Sequence, residues 1–140
     1  MKPSRSLTLS LALMAATILA GLTVRFVPLR LPPFVIKYGG SMLWALMIYW
    51  LFSTLLRRQP VFLVALIAGV VATTVEFFKL YHSPAADAFR LTLPGILLLG
   101  RFFSAWDVFA YWLAIAIGAR IDLRISHRSA DRTMANERSA

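Results

Sequence analysis

Carboxylates are the scarcest chemistry in this chain, six Asp and Glu against fifteen Lys and Arg in 140 residues. Asp122, Asp131 and Glu137 fall in a basic C-terminal stretch. The other three, Glu76, Asp87 and Asp107, fall in one part of the sequence with Lys79, Tyr81, His82, Arg90, Arg101 and Tyr111. A smaller polar group, Lys37, Tyr38 and Ser41, lies upstream. Side chains of these types can transfer protons, hold an anion on Lys or Arg, or tie helices together through ion pairs. On a helix, Glu76 and Lys79 share a face, as do Asp87 with Arg90 and Asp107 with Tyr111. Lys37, Ser41 and Trp44 form one stripe and can face inward together.

Other chemistries find less support. The absence of Cys removes disulfides, thiolate catalysis and Cys-ligated metal. Glu76, His82, Asp87 and Asp107 lack the tight spacing of a metal site, and Lys79, Arg90 and Arg101 would oppose a cation; no metal and no cofactor is expected. Ser41 or Ser104 as a nucleophile has no convincing base, because the only histidines are His82 and His127. No phosphate-binding loop, dinucleotide fingerprint or HExxH motif occurs. The formal charge of +9 does not by itself indicate nucleic acid, since no folded basic surface with an aromatic platform accompanies it.

The elements that must position the polar residues are long and apolar. Apolar residues make up 59% of the chain and the mean hydropathy is +0.72, which argues against a soluble enzyme and against disorder. The charges are segregated from the apolar runs. This pattern predicts an all-α integral membrane protein, a bundle of four transmembrane helices in a single domain over residues 1–123. The spans are expected at about 7–24, 38–56, 61–81 and 106–121. Pro60 suits the start of the third, where a missing N–H costs nothing. The fourth has only twelve uncharged residues, Val108 to Ala119, and must take in Trp106 and Asp107 to cross. Between the third and fourth spans, residues 91–100 are apolar but too few to cross. Pro94-Gly95 is expected to break any helix there, giving a short re-entrant or interfacial segment.

The N-terminal run resembles a signal peptide superficially. Ile18 spoils the small-x-small pattern before Ala20, and an uncleaved first helix is expected. Four spans put both termini on one side, with nine basic residues there against six on the other, so the positive-inside rule places both termini in the cytoplasm. Residues 124–140 read as a basic, disordered tail. Arg120, Arg124, Arg128 and Arg132 recur every fourth position, which would suit anionic headgroups if helical; the plainer reading is a solvated stop-transfer tail. Gly69, Ala72 and Thr73 in the third span, and Gly118 in the fourth, suit close helix packing.

This topology gathers Glu76, Asp87 and Asp107 in the outer half of the protein. A lipid-exposed carboxylate at a helix centre costs on the order of 3 kcal/mol, so Glu76 is expected to face the bundle and meet Lys79, Lys37 or Arg90. An ion-pair network tying the helices together and a polar binding site are both consistent with that arrangement.

Three stretches resemble one family. They are Lys37-Tyr38-Gly39-Gly40-Ser41-Met42-Leu43-Trp44-Ala45; Val75-Glu76-Phe77 through Leu80-Tyr81-His82-Ser83-Pro84 with Asp87 and Arg90; and Gly95, Gly100, Phe103, Trp106-Asp107, Tyr111 and Gly118. Together they resemble the bacterial membrane proteins of domain of unknown function 2809, over about residues 7–123. Against that pattern, Ser41 stands where Asp is usual and Lys79 where Gln is usual. Both changes make the site more positive and count against a carboxylate pair at position 41. The order Glu76, Arg90, Asp107, Gly118 is also similar, more loosely, to VanZ-like proteins, one of which is associated with glycopeptide resistance.

The resulting expectation is an inner-membrane, cell-envelope binding or accessory protein rather than an enzyme. Its partners would be the lipid bilayer, a lipid or other envelope amphiphile, and a second copy in a homodimer. Glu76, Arg90, Asp107, Asp87, Lys37, Lys79, Tyr81 and Tyr111 form the expected polar site. Glu76 would be the central acceptor, Arg90 and Lys37 would hold anionic groups, and Asp107 would orient Tyr111 or Arg90. A membrane enzyme using Glu76 or Asp107 as acid or base, and a small transporter or proton pathway, are the alternatives.

Overall fold

The computed structural model describes residues 6–28, 30–100 and 102–138, with side chains described as far as Ser126. Six helices follow one another: α1 (Leu7–Phe26), α2 (Pro33–Leu55), α3 (Val61–Phe78), α4 (Pro84–Arg90), α5 (Leu93–Leu98) and α6 (Ala105–Arg138). The first three have 20, 23 and 18 residues and are long and apolar enough to cross a membrane. At about 1.5 Å per residue even the shortest approaches the hydrocarbon thickness of a bilayer.

Local chemistry explains most of the helix ends. Ser6 caps α1 by accepting from the Leu9 N–H, and Pro28 follows its end. Pro32-Pro33 opens α2 and Pro60 precedes α3, where a proline has no helical donor to lose. Hydroxyls inside the apolar helices bond to their own backbone: Thr17 donates to Leu13 O and Thr23 to Leu19 O. α2 begins five residues before the expected 38, so Lys37 sits within its first turns rather than ahead of it. α3 ends at Phe78, short of 81. Successive three-residue backbone bonds from Lys79, Leu80 and Tyr81 tighten the chain there, and Ser83 then caps α4.

The segment expected to be broken is interrupted at Leu91-Thr92, between α4 and α5, and not at Pro94-Gly95. Pro94 does not stop a helix but occupies the first turn of α5, behind a Thr92 cap that accepts from the Gly95 N–H. Gly95 has a packing reason to be glycine, because a Cβ there would lie 1.9 Å from the Phe89 carbonyl oxygen. α4 and α5 thus form a tight helical hairpin between α3 and α6. At the other end of the chain, α6 runs 34 residues to Arg138 where an irregular tail was expected after 123. Among the described residues nothing there supplies a helix stop, neither Pro nor Gly following Gly118.

Three helices make the core. α2, α3 and α6 pack on one another through Ala45, Tyr49, Val64, Ala68, Ala72, Ala114 and Ile115. Alanine and glycine let the backbones approach closely, which is how helices associate where no water drives them together. Gly69 lies under the Trp112 ring, whose Nε1 donates to Thr73 Oγ1 at 3.1 Å, and Gly118 lies against Leu46 and Tyr49. α1 stands apart: among the described residues it packs on α2 and on no other helix.

Candidate functional site

The C-terminal end of α3 and the first turns of α6 meet at Glu76, whose side chain is 0% exposed. Three donors reach it. The Tyr111 hydroxyl donates to Oε2 at 2.6 Å, the Ser104 backbone N–H to Oε1 at 2.8 Å, and the Lys79 ammonium forms an ion pair with Oε2. Lys79 caps α3 and is itself buried, with Gly100 close to its ammonium end. Gly100 has φ +68, a left-handed conformation that glycine adopts without a Cβ penalty. The carboxylate is therefore paired and hydrogen-bonded, the condition under which burial of a charge is tolerated.

One turn earlier on α6 lies Asp107, 5% exposed. Ser41 Oγ on α2 is 3.2 Å from its carboxylate and 3.2 Å from the Lys37 carbonyl, and shares one proton between them. Trp44, a turn further along α2, stacks on Tyr111 with ring centroids 5.3 Å apart. The stripe Lys37, Ser41, Trp44 thus faces Asp107 and Tyr111 across the α2–α6 interface.

The standoff of α1 leaves a cavity of about 790 Å³ beside this cluster. α1, α2 and α5 supply apolar walls, such as Ile18, Leu22, Ile36 and Ile96. Its polar lining is Lys37, Ser41, Lys79, Asp107 and Tyr111, with Thr17 and Arg25 from α1. Gly40 lines it with open space where a Cβ would be. Its volume falls in the range that holds a small organic ligand, and apolar walls with a few convergent polar groups are the usual composition of such a site.

The expected site residues divide into two groups. Glu76, Lys79, Asp107 and Tyr111 come together, and Lys37 lies at the cavity wall with its ammonium over the Tyr38 ring. Asp87 and Arg90 do not join them. Arg90 donates to Asp87 Oδ1 at 2.8 Å and to the Phe78 carbonyl at 2.7 Å, with His82 on the same carboxylate at 3.2 Å. This second cluster ties α4 to the end of α3. The guanidinium bonds Asp87 and the Phe78 carbonyl and not Glu76 or Asp107, which places Arg90 in this second cluster. Tyr81 is exposed and rests on the Phe78 ring, outside both clusters. Glu76 does not line the cavity; it positions Tyr111 and Lys79, which do. The hydrogen-bond partner of Asp107 is Ser41, and not Tyr111 or Arg90. Arg101 lies outside the described residues.

Sequence reasoning missed Asp122, which it assigned to the tail. The residue is 5% exposed inside the bundle, accepting from the Tyr49 hydroxyl at 2.7 Å and from Ser53 Oγ at 3.2 Å. The signal was available: Asp107, Tyr111, Gly118 and Asp122 keep one face through α6, and Tyr49 and Ser53 are four apart on α2. Among the described residues, no group of three His, Asp or Glu side chains is placed to hold a metal ion.

Fold and site together define an all-helical protein with candidate membrane spans and a polar cluster buried beside an apolar cavity. Within that class the chain belongs to the family described as protein of unknown function (DUF2809), whose model matches residues 30–115. The matched stretch holds Lys37, Ser41, Glu76, Lys79, Asp107 and Tyr111, and ends before Asp122. No solved structure matches the chain. Of the residues in the order that resembles VanZ-like proteins, Arg90 bonds Asp87 and the Phe78 carbonyl.

Proposed function

We propose that this is a four-span protein of the bacterial inner membrane, both termini cytoplasmic, that binds a lipid or other envelope amphiphile in the outer-half cavity. The fourth span is the first half of α6. Before Arg120 it carries Asp107 as its one charged residue, and that charge is turned into the bundle against Ser41. One observation carries the binding reading: the 790 Å³ cavity joins long apolar walls to a charged and polar lining. That suits an amphiphile, with chain and headgroup in one space.

The cavity can be closed without disturbing the core. Gly40→Phe places a ring into open space at the wall. The full-length protein, purified in mild detergent, is expected to carry co-purifying lipid measured by mass spectrometry, and the Gly40→Phe variant is expected to lose it. Equal retention by both forms would reject the cavity as the site. Orientation follows from single cysteines at Arg58, Ala88 and Arg124 in this Cys-free chain. Labelling of 88 from the outside, and of 58 and 124 only after permeabilisation, is the expected pattern.

A second reading has one observation in its favour. Asp107 lines the cavity, where a carboxylate can act as acid or base on a bound lipid. Turnover of a defined lipid substrate with a pH–rate profile lost in Asp107→Asn would establish it; no turnover would reject it.

A further inference from the structure

Two features of the cavity wall remain unused by the hydrogen bonds of the cluster. The Trp44 indole Nε1 is buried and has no hydrogen-bond partner among the described residues. An indole N–H can only donate, and a buried donor left unpaired costs about 1–3 kcal/mol. Trp44 lines the cavity with part of its side chain but also packs against the α2–α3–α6 core, and its Nε1 is closed off within that wall and does not open onto the space. The second feature is charge. Arg25 at the end of α1 and Lys37 near the start of α2 both line the cavity and are exposed. Neither forms an ion pair with a carboxylate among the described residues. Lys79 adds a third cation, and the acids nearby are Asp107 on the wall and Glu76 behind it, the latter paired with Lys79. The cavity thus carries an excess of positive charge, with Arg25, Lys37 and Lys79 set against Asp107 on its wall.

Building on the amphiphile-binding reading, we infer that the occupant is an anionic lipid. Its phosphate or carboxylate oxygens accept from Lys37 and Arg25, and its acyl chain lies along the walls of α1, α2 and α5. A zwitterionic headgroup would bring an ammonium among Arg25, Lys37 and Lys79, with Asp107 on the wall as its carboxylate counterpart. A neutral diacylglycerol would fill the apolar part and leave the cations unmatched. Inorganic phosphate or a glycerol phosphate would offer the acceptors but forgo burial of apolar surface, which supplies most of the favourable free energy for such a ligand.

The test uses the full chain in mild detergent, equilibrated with equal amounts of phosphatidylglycerol, phosphatidylethanolamine and diacylglycerol of the same acyl chains, with retained lipid read by native mass spectrometry. Wild type is expected to retain phosphatidylglycerol about tenfold over the other two, the discrimination expected of charge-assisted hydrogen bonds. Lys37→Gln and Arg25→Gln, both at exposed positions on the cavity wall, are each expected to lower that preference several-fold. Glycerol phosphate without chains is expected not to displace the lipid. Retention of all three lipids alike would overturn the anionic inference and leave the amphiphile reading standing. So would an unchanged preference in both variants. No retention of any lipid by wild type, or retention unaffected by Gly40→Phe, would overturn the amphiphile reading itself.

Discussion

α6 carries a buried aspartate at each end of the bundle, and the two are housed differently. Asp107 and Asp122 are fifteen residues apart, about 22 Å along a helix, and each is 5% exposed. Asp122 is held by hydroxyls, Tyr49 and Ser53, both from α2 and both buried in the packed interface. Asp107 shares one hydroxyl proton with a backbone carbonyl and sits on the wall of a cavity ringed by cations. The lesson is that burial alone does not mark a site. A carboxylate whose acceptors are met by core hydroxyls fixes how two helices align, whereas one beside unmatched cations and open volume leaves room for a ligand.

The largest expected effect comes from removing the anchor of the open end. Glu76→Leu leaves the Lys79 ammonium buried without its partner and frees Tyr111 and the Ser104 N–H. Thermal unfolding in detergent should show a loss of about 3–5 kcal/mol, the usual cost of stranding one member of a buried pair. Glu76→Gln keeps an acceptor and should lose less. Gly95→Ala comes next. Its Cβ would meet backbone, the Phe89 carbonyl, which cannot rotate away, and a loss of about 1–3 kcal/mol is expected from the forced opening of the α4–α5 hairpin. A stability close to wild type would show that the hairpin yields freely.

The sharpest test of the comparison exchanges one charge at each end. Asp122→Asn keeps an oxygen for Tyr49 and should cost about 1 kcal/mol of stability with lipid retention unchanged. Asp107→Asn removes the acid on the cavity wall, so anionic lipid retention should rise, by roughly threefold. Equal effects of the two substitutions on retention would erase the distinction drawn between the two ends. The smallest expected change is at Gly69→Ala, where the added methyl meets the rim of the partly exposed Trp112 ring. The ring can swing outward, losing its bond to Thr73 and about 1 kcal/mol. Neither the cavity nor its lipid should respond.

Much of the architecture was legible in the residue pattern. Uncharged runs bounded by Arg and Lys located α1, α2 and α3, and Pro60 marked where α3 starts. The pairing of Glu76 with Lys79 also followed from spacing, because three residues along a helix is a contact whatever the fold. Gly69, Ala72 and Gly118 pack closely as their size suggested. These are local properties, carried by helical period, side-chain size and capping.

What tertiary structure alone decided are the contacts between distant segments. Glu76 meets Tyr111 thirty-five residues away, and Ser41 meets Asp107 across sixty-six. Asp87 looked equivalent to both acids in sequence, yet Arg90 on its own short helix captured it. Asp122 looked like part of a solvated tail, yet the face of α6 that carries Tyr111 runs on unbroken and brings it to Tyr49. The cavity was invisible in advance because it arises where α1 fails to reach α6. Helical periodicity states which residues share a face; only the crossing of the helices states which face meets which, and where they leave a gap.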